Sequence, residues 1–220
     1  HGKPLYLEWN EKLKPISGID FEIHETGLLI FDEADFETGL NYAHQFQEPM
    51  QQAEYLQSEQ LAQVNPFIHP QFRHAIYFPQ IANVRNPRLL QSMIGYLKQH
   101  PKVEFIEHCP IEQFNIVNGK VQSIRSQNKQ IYFADQFVIT TGAWSKHWSE
   151  QLDLDIPVQP VQGQMVLFKT PENWLPTMCM NKVMYLIPRL DGHVVCGSSM
   201  ANCGFDTTPT AATKQTILEA

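Results

Sequence analysis

The pair Asn118-Gly119 constrains this chain more than any other two residues. It stands between two segments of strand-like composition, Ile111–Val117 and residues 120–125. Asn-Gly suits the two positive-φ positions of a type I′ turn, whose twist matches that of paired strands, so a tight antiparallel hairpin with one register is expected. A third meander strand over residues 130–133 follows. The next run, Gln136-Phe137-Val138-Ile139-Thr140-Thr141-Gly142, is apolar, ends in small residues and reads as a strand buried on both faces.

Upstream, Asn86-Pro87 opens a helix with Asn as N-cap and Pro at N1; Leu89, Leu90, Met93, Ile94 and Leu97 form its apolar face up to Gln99. A strand over 103–106 comes next. Nearer the start, Leu5, Tyr6, Trp9 and Leu13 recur at helical spacing, which predicts a short helix ending before Pro15. Residues 20–25 alternate apolar and polar, and 28–31 follow after Thr26-Gly27, so the two read as antiparallel strands. Amphipathic helices are expected from about 35 to 47 and from 52 to 63, the second closed by Asn65-Pro66, and then a short strand over 75–78. Residues 158–168, 183–187 and 193–197 supply further strands, with a turn at Asp191-Gly192, and Thr210 is a suitable N-cap for a last helix. Helix, strand, meander, buried strand and then an antiparallel sheet make the fold class mixed α/β (α+β), with at least two subregions. The chain starts at His1, and its last helix runs out at Ala220 with no terminator, so both ends are expected to be cuts.

With 220 residues, 43% hydrophobic and 18% charged, the chain can bury a sizeable core. Its net charge is -7 and no two Lys or Arg are adjacent, which argues against nucleic acid and anionic membranes as partners. Apolar runs such as Gly27-Leu28-Leu29-Ile30-Phe31 are far short of the ~20 residues that cross a bilayer. The four cysteines, Cys109, Cys179, Cys196 and Cys203, contain no C-x-x-C pair and read as free thiols of a cytoplasmic protein. There is no G-x-G-x-x-G, Walker loop, H-E-x-x-H or G-x-S-x-G, and no His lies four residues from another His or Cys, so no metal site is expected.

The segments Val84-Arg85-Asn86-Pro87-Arg88-Leu89-Leu90, Glu107-His108-Cys109-Pro110-Ile111, Val138 to Ser145, Pro160-Val161-Gln162-Gly163-Gln164, Tyr185-Leu186-Ile187-Pro188-Arg189, Gly197-Ser198-Ser199-Met200 and Gly204 to Thr210 occur in one order. In that order, from roughly Ser17 onward, the chain resembles the D-amino-acid oxidase superfamily, and within it the glycine oxidases of bacterial thiamine synthesis. The resemblance implies a substrate-binding antiparallel sheet with helices plus part of an FAD-binding domain. Residues 1–78 would be part of the substrate domain, 79–150 a partial FAD-binding domain and 151–220 the substrate-domain sheet.

The resemblance also implies roles. The backbone of Ile111 would hydrogen-bond the flavin adenine, whatever its side chain. Thr140, Thr141, Gly142 and Ala143 would form a tight strand end passing beside the dinucleotide, where small residues let the backbone approach. The Tyr185 hydroxyl would donate to a substrate carboxylate, Met200 would line the pocket over the flavin, and Arg189 would add a charge suited to a carboxylate. No side chain is implied as a catalytic acid or base. The family's N-terminal Rossmann fingerprint should lie upstream of the first helix, and its carboxylate-pairing arginine beyond Ala220; neither is in this chain. FAD binding by the 220 residues alone is therefore expected to be weak or absent, and turnover with it. The implied parent reaction is oxidation of glycine or a similar small amino acid or amine by hydride transfer to flavin, giving an imine, then glyoxylate and ammonia, with hydrogen peroxide from dioxygen. A D-amino-acid dehydrogenase, a sarcosine-oxidase-like enzyme and a folded binding module without catalysis stay open as alternatives, as does a homo-oligomer.

Overall fold

The computed structural model describes residues 2–31, 36–37, 40–41, 52–171 and 174–219. The chain divides into two compact units: residues 1–103, 163–199 and 209–220 form the first, and 104–162 with 200–208 the second. The divisions differ from those expected because the helix following Asn86 packs within the first unit, and the sheet strands return to it after residue 162.

The first unit begins with helix α1 (Gly2–Ser17). It runs past Pro15, since a proline in the last turn removes only its own backbone bond. Gly18, at φ +71, ends it, with its N–H on the Lys14 carbonyl at 2.9 Å. Strand β1 (His24–Glu25) and β2 (Leu28–Ile30) do not pair with each other as expected. Gly27, at φ +65, turns the chain between them, and a side chain there would strike the Tyr77 ring at 2.5 Å. Next come β3 (Glu54–Gln57), α2 (Ser58–Val64), β4 (His74–Phe78), β5 (Ala82–Asn83) and α3 (Asn86–Leu97). The helix expected over 52–63 is thus a strand followed by a helix: Leu56 goes into the core and β3 pairs with β4, which outweighs local helical spacing. The helix expected over 35–47 lies largely outside the described residues.

Helix α3 begins one residue earlier than expected: Arg85, not Asn86, is the N-cap, and Asn86 is already helical. Its buried residue is Ser92, not a member of the leucine face, and Leu90 is 59% exposed. Small side chains let α1 and α3 approach closely; Ser17 and Ser92 share a 3.0 Å hydrogen bond, and a methyl on Gly95 would lie 3.0 Å from the Ser17 Cβ.

Strands β9 (Met165–Lys169), β10 (Met178–Met180), β11 (Tyr185–Pro188) and β12 (His193–Gly197) complete a seven-stranded sheet, ordered β3-β4-β2-β10-β11-β12-β9. All pairs are antiparallel except β2 with β10, so the sheet is mixed where an antiparallel one was expected. One face carries a cluster of Leu29, Leu56, Leu61 and Ala75, packed by Phe31, Val64, Ile68, Tyr77 and Cys179. Asn65, 1% exposed, ties it together by donating 3.0 Å to Thr177 and accepting the Phe67 N–H at 3.1 Å. The Cys179 thiol is pushed up to about 11 by burial, so it stays protonated. The closing helix α5 (Ala211–Glu219) is capped by Thr210, whose hydroxyl accepts the Thr213 N–H at 3.1 Å.

The second unit holds the hairpin of β6 (Ile111–Val117) and β7 (Lys120–Ser126), with β8 (Ile131–Phe133) beside β7. Asn118 and Gly119 take φ 51 and 72, as a type I′ turn needs. A 3-10 helix, Gly142–Trp148, leads into the one-turn α4 (Ser149–Leu152). Trp148 stands edge-on to Phe114 at 4.9 Å, and Gln151 bridges to the Phe114 N–H at 3.0 Å, fastening this end to β6.

The two strands expected over 103–106 and 136–142 are not strands. Both segments are apolar, yet Val138 is 83% exposed and Ile106 48%. A strand exists only by exchanging hydrogen bonds with a neighbour, and among the described residues none runs alongside either segment.

Candidate functional site

The alternation of β9, β11 and β12, fixed by their register, decides which side chains stand together. Met165 and Tyr185 are both opposite Gly197; Leu167 and Ile187 are both opposite Val195. These residues share the sheet face opposite the Leu29 cluster. There the Tyr185 hydroxyl donates to the Met165 sulfur at 3.2 Å. The crossing is possible because position 197 has no side chain: a Cβ there would lie 2.8 Å from the Met165 Cγ and 2.9 Å from the Tyr185 oxygen. Met165 and Leu167 are 60% and 61% exposed, so the hydroxyl stands over an open apolar floor. Such a surface can orient a small ligand through one hydrogen bond and surround its remainder with carbon.

Arg189 lies four residues beyond Tyr185, about 13 Å of extended chain. Its Nη1 donates to the Asn83 side chain at 2.7 Å and the Val84 carbonyl at 2.9 Å. Burial, and then the neighbouring Arg85, hold its pKa below the usual guanidinium value. Arg85 itself bonds Asp191 at 2.8 Å and Glu22 at 3.1 Å, and Arg88 bonds Glu22 at 3.0 Å. Burial pushes the Asp191 carboxyl up, but His193 and Arg85 outweigh it, and the group is held well below the usual carboxylate range.

In the second unit, Ile111 opens β6 opposite Ser126. Thr140 and Thr141 precede the 3-10 helix, Gly142 takes φ +54, and a Cβ there would meet nothing within 4 Å. Ala143 lines a cavity of about 510 Å³, beside Trp144, Lys146 and His147, with Phe205 stacked on Trp144 at 5.1 Å. The tight strand end expected at 140–143 is not formed: Thr140 and Thr141 are irregular and Gly142 opens the 3-10 helix. Met200 belongs to this unit and is 83% exposed.

The structure thus brings Tyr185 together with Met165, Leu167 and Gly197, while Arg189, just past the end of β11, is held by Asn83 and Val84. Met165 and Leu167 escaped the sequence reading because the register that sets them beside Tyr185 is a tertiary fact. Among the described residues there is no group of three or more His, Cys, Asp or Glu able to hold a metal, and no helix long and apolar enough to cross a membrane.

The chain is 39% identical over 207 residues to the glycine oxidase of Pseudomonas putida, covering 94% of this chain and 56% of the relative. It is 32% identical over 213 residues to the glycine oxidase of Pseudomonas aeruginosa, covering 97% and 57%. The chain therefore spans little more than half the length of these relatives. Its fold is similar to the crystal structure of glycine oxidase from Geobacillus kaustophilus, with a TM-score of 0.89 at 19% identity, over 99% of this chain and 59% of that one. The pattern of the FAD dependent oxidoreductases matches residues 4–220, both units included, and the chain belongs to that family.

Proposed function

We propose that the protein carrying this chain oxidises glycine or a similar small amino acid or amine, with this chain supplying the substrate-facing sheet and part of the flavin-holding region. The observation that carries the reading is the Tyr185 hydroxyl poised on an open apolar floor over Gly197, in a chain whose relatives are named glycine oxidases. Tyr185 would turn from the Met165 sulfur to the substrate carboxylate, a charge-assisted bond that replaces a weak one. Met165, Leu167 and Ile187 would line an apolar floor under the substrate which, once covered in the full-length protein, favours a neutral amine with its lone pair free. Arg189, held by Asn83 and Val84, contributes positive field toward an anionic substrate rather than a direct contact.

A flavin dinucleotide fits the residues present: the Ile111 backbone would hold its adenine, and Thr140, Thr141, Gly142 and Ala143 would let backbone approach its chain, where the space around Gly142 is open. When bound, a flavin held by these residues would supply hydride-acceptor chemistry at the substrate α-carbon, with dioxygen as the final oxidant and hydrogen peroxide as its product. The imine left behind takes up water and yields glyoxylate and ammonia when the substrate is glycine. The site aligns and desolvates the substrate, and needs no side-chain acid or base.

The test is the full-length protein: its visible spectrum, then glyoxylate and peroxide release from glycine, sarcosine and D-alanine. Flavin absorption with equimolar peroxide and glyoxylate from glycine is the expected result. Transfer to a dye with no peroxide would make the protein a dehydrogenase instead. A folded protein with no flavin would sink the reading in favour of a binding module.

A further inference from the structure

A cavity of about 300 Å³ opens in the first unit, away from Tyr185, between His24, Arg189, His193 and Trp174, with Leu175 and Val194 among its walls. Its volume is within the ordinary range of small-molecule sites. Two of its polar groups lack what they would normally have. The Nδ1 of His24 is buried and has no hydrogen-bond partner among the described residues, a costly state for an imidazole nitrogen. The partly buried Arg189 makes both its hydrogen bonds to neutral oxygens, those of Asn83 and Val84, and no carboxylate pairs with it among the described residues. The nearby acids are already engaged: Glu22 by Arg85 and Arg88, and Asp191 by Arg85 and His193. Asn83 joins the two groups, since its Nδ2 donates 3.4 Å to the His24 carbonyl while its Oδ1 accepts from Arg189.

A cavity lined by an arginine that has no paired carboxylate among the described residues, by a histidine whose Nδ1 lacks a hydrogen-bond partner, and by hydrocarbon walls suits an anion with an apolar body. We propose that this cavity binds a small aliphatic monocarboxylate, as a site separate from the Tyr185 floor. Trp174, Leu175 and Val194 suit its alkyl part, which favours a carboxylate over inorganic phosphate. The shift of Arg189 below its usual value has burial as its first cause, which a bound carboxylate would offset. The reading does not depend on the flavin chemistry.

The full chain is titrated with propionate, with neutral propionamide and with phosphate, following the indole N–H resonance of Trp174, assigned from a W174F variant. Saturable movement with propionate, at least tenfold weaker with propionamide and phosphate, is expected. His24→Leu and Arg189→Met should each weaken propionate at least tenfold without changing its binding stoichiometry. Absent saturation, equal response to propionamide, preference for phosphate, or undiminished binding by His24→Leu would each overturn the site. If Arg189→Met does not fold, His24→Leu and the propionamide comparison decide the matter.

Discussion

The Tyr185 hydroxyl and the Met165 sulfur meet at 3.2 Å across β12, over the one position, Gly197, where a side chain would bar them. The pair comes from two strands that are not neighbours, so the register of the strand between them sets its geometry.

Gly197→Ala should therefore be costly. Its methyl would sit 2.8 Å from the Met165 Cγ and 2.9 Å from the Tyr185 oxygen, and one or both side chains must move. A loss of about 1–3 kcal/mol is expected for such overpacking. Urea unfolding measures it; a variant as stable as the parent would show that the crossing is loose.

Tyr185→Phe removes a hydroxyl whose only hydrogen bond among the described residues is to a thioether, so stability should hold within about 0.5 kcal/mol. In the full-length protein the KM for glycine should rise about tenfold or more, the worth of a charge-assisted hydrogen bond. Unchanged KM would remove Tyr185 from the substrate site.

Leu29→Ala should cost about 2–5 kcal/mol. Leu29 is 0% exposed, and β2 joins the β3-β4 edge to the β10 side of the sheet by the only parallel pairing among the described residues. Thermal unfolding checks it; a cost below about 1 kcal/mol would mean that the cluster collapses around the gap.

Asp191 gives a pH dependence with a definite sign. Its folded pKa is depressed, so its contribution to stability is present above the unfolded value of about 3.9 and is lost as pH falls through that value toward the folded one. Between pH 7 and pH 3 the parent should lose more stability than Asp191→Asn, which keeps the side-chain oxygen that accepts the His193 N–H. Parallel stability curves for the two would remove Asp191 from the acid response. The side chain is 39% exposed, so the difference should shrink in high salt.

Sequence and structure agree where the deciding interactions are local. The Asn118-Gly119 turn, the Thr210 cap and the Asp191-Gly192 turn depend on φ preferences and side-chain bonds a few residues apart, and all three are found. Tyr185 could be singled out by its resemblance to a family pattern, but its neighbours could not. The strand at 54–57 hides in a helical spacing because β4 is its reason for being a strand. The apolar segments at 103–106 and 136–141 carry a strand's composition and remain irregular, since strand pairing needs a partner and composition supplies only one side of it.

The sequence by itself thus determined the hairpin turns, the Thr210 cap, the mixed class and the family, because these are written in residue types and short spacings. Only the tertiary structure decided that β2 meets β10 across about 150 residues of chain, that Met165 lies against Tyr185, and that Arg189 faces Asn83 and a separate cavity. Register and long-range pairing follow from the packing of the whole sheet, which no local window of sequence contains.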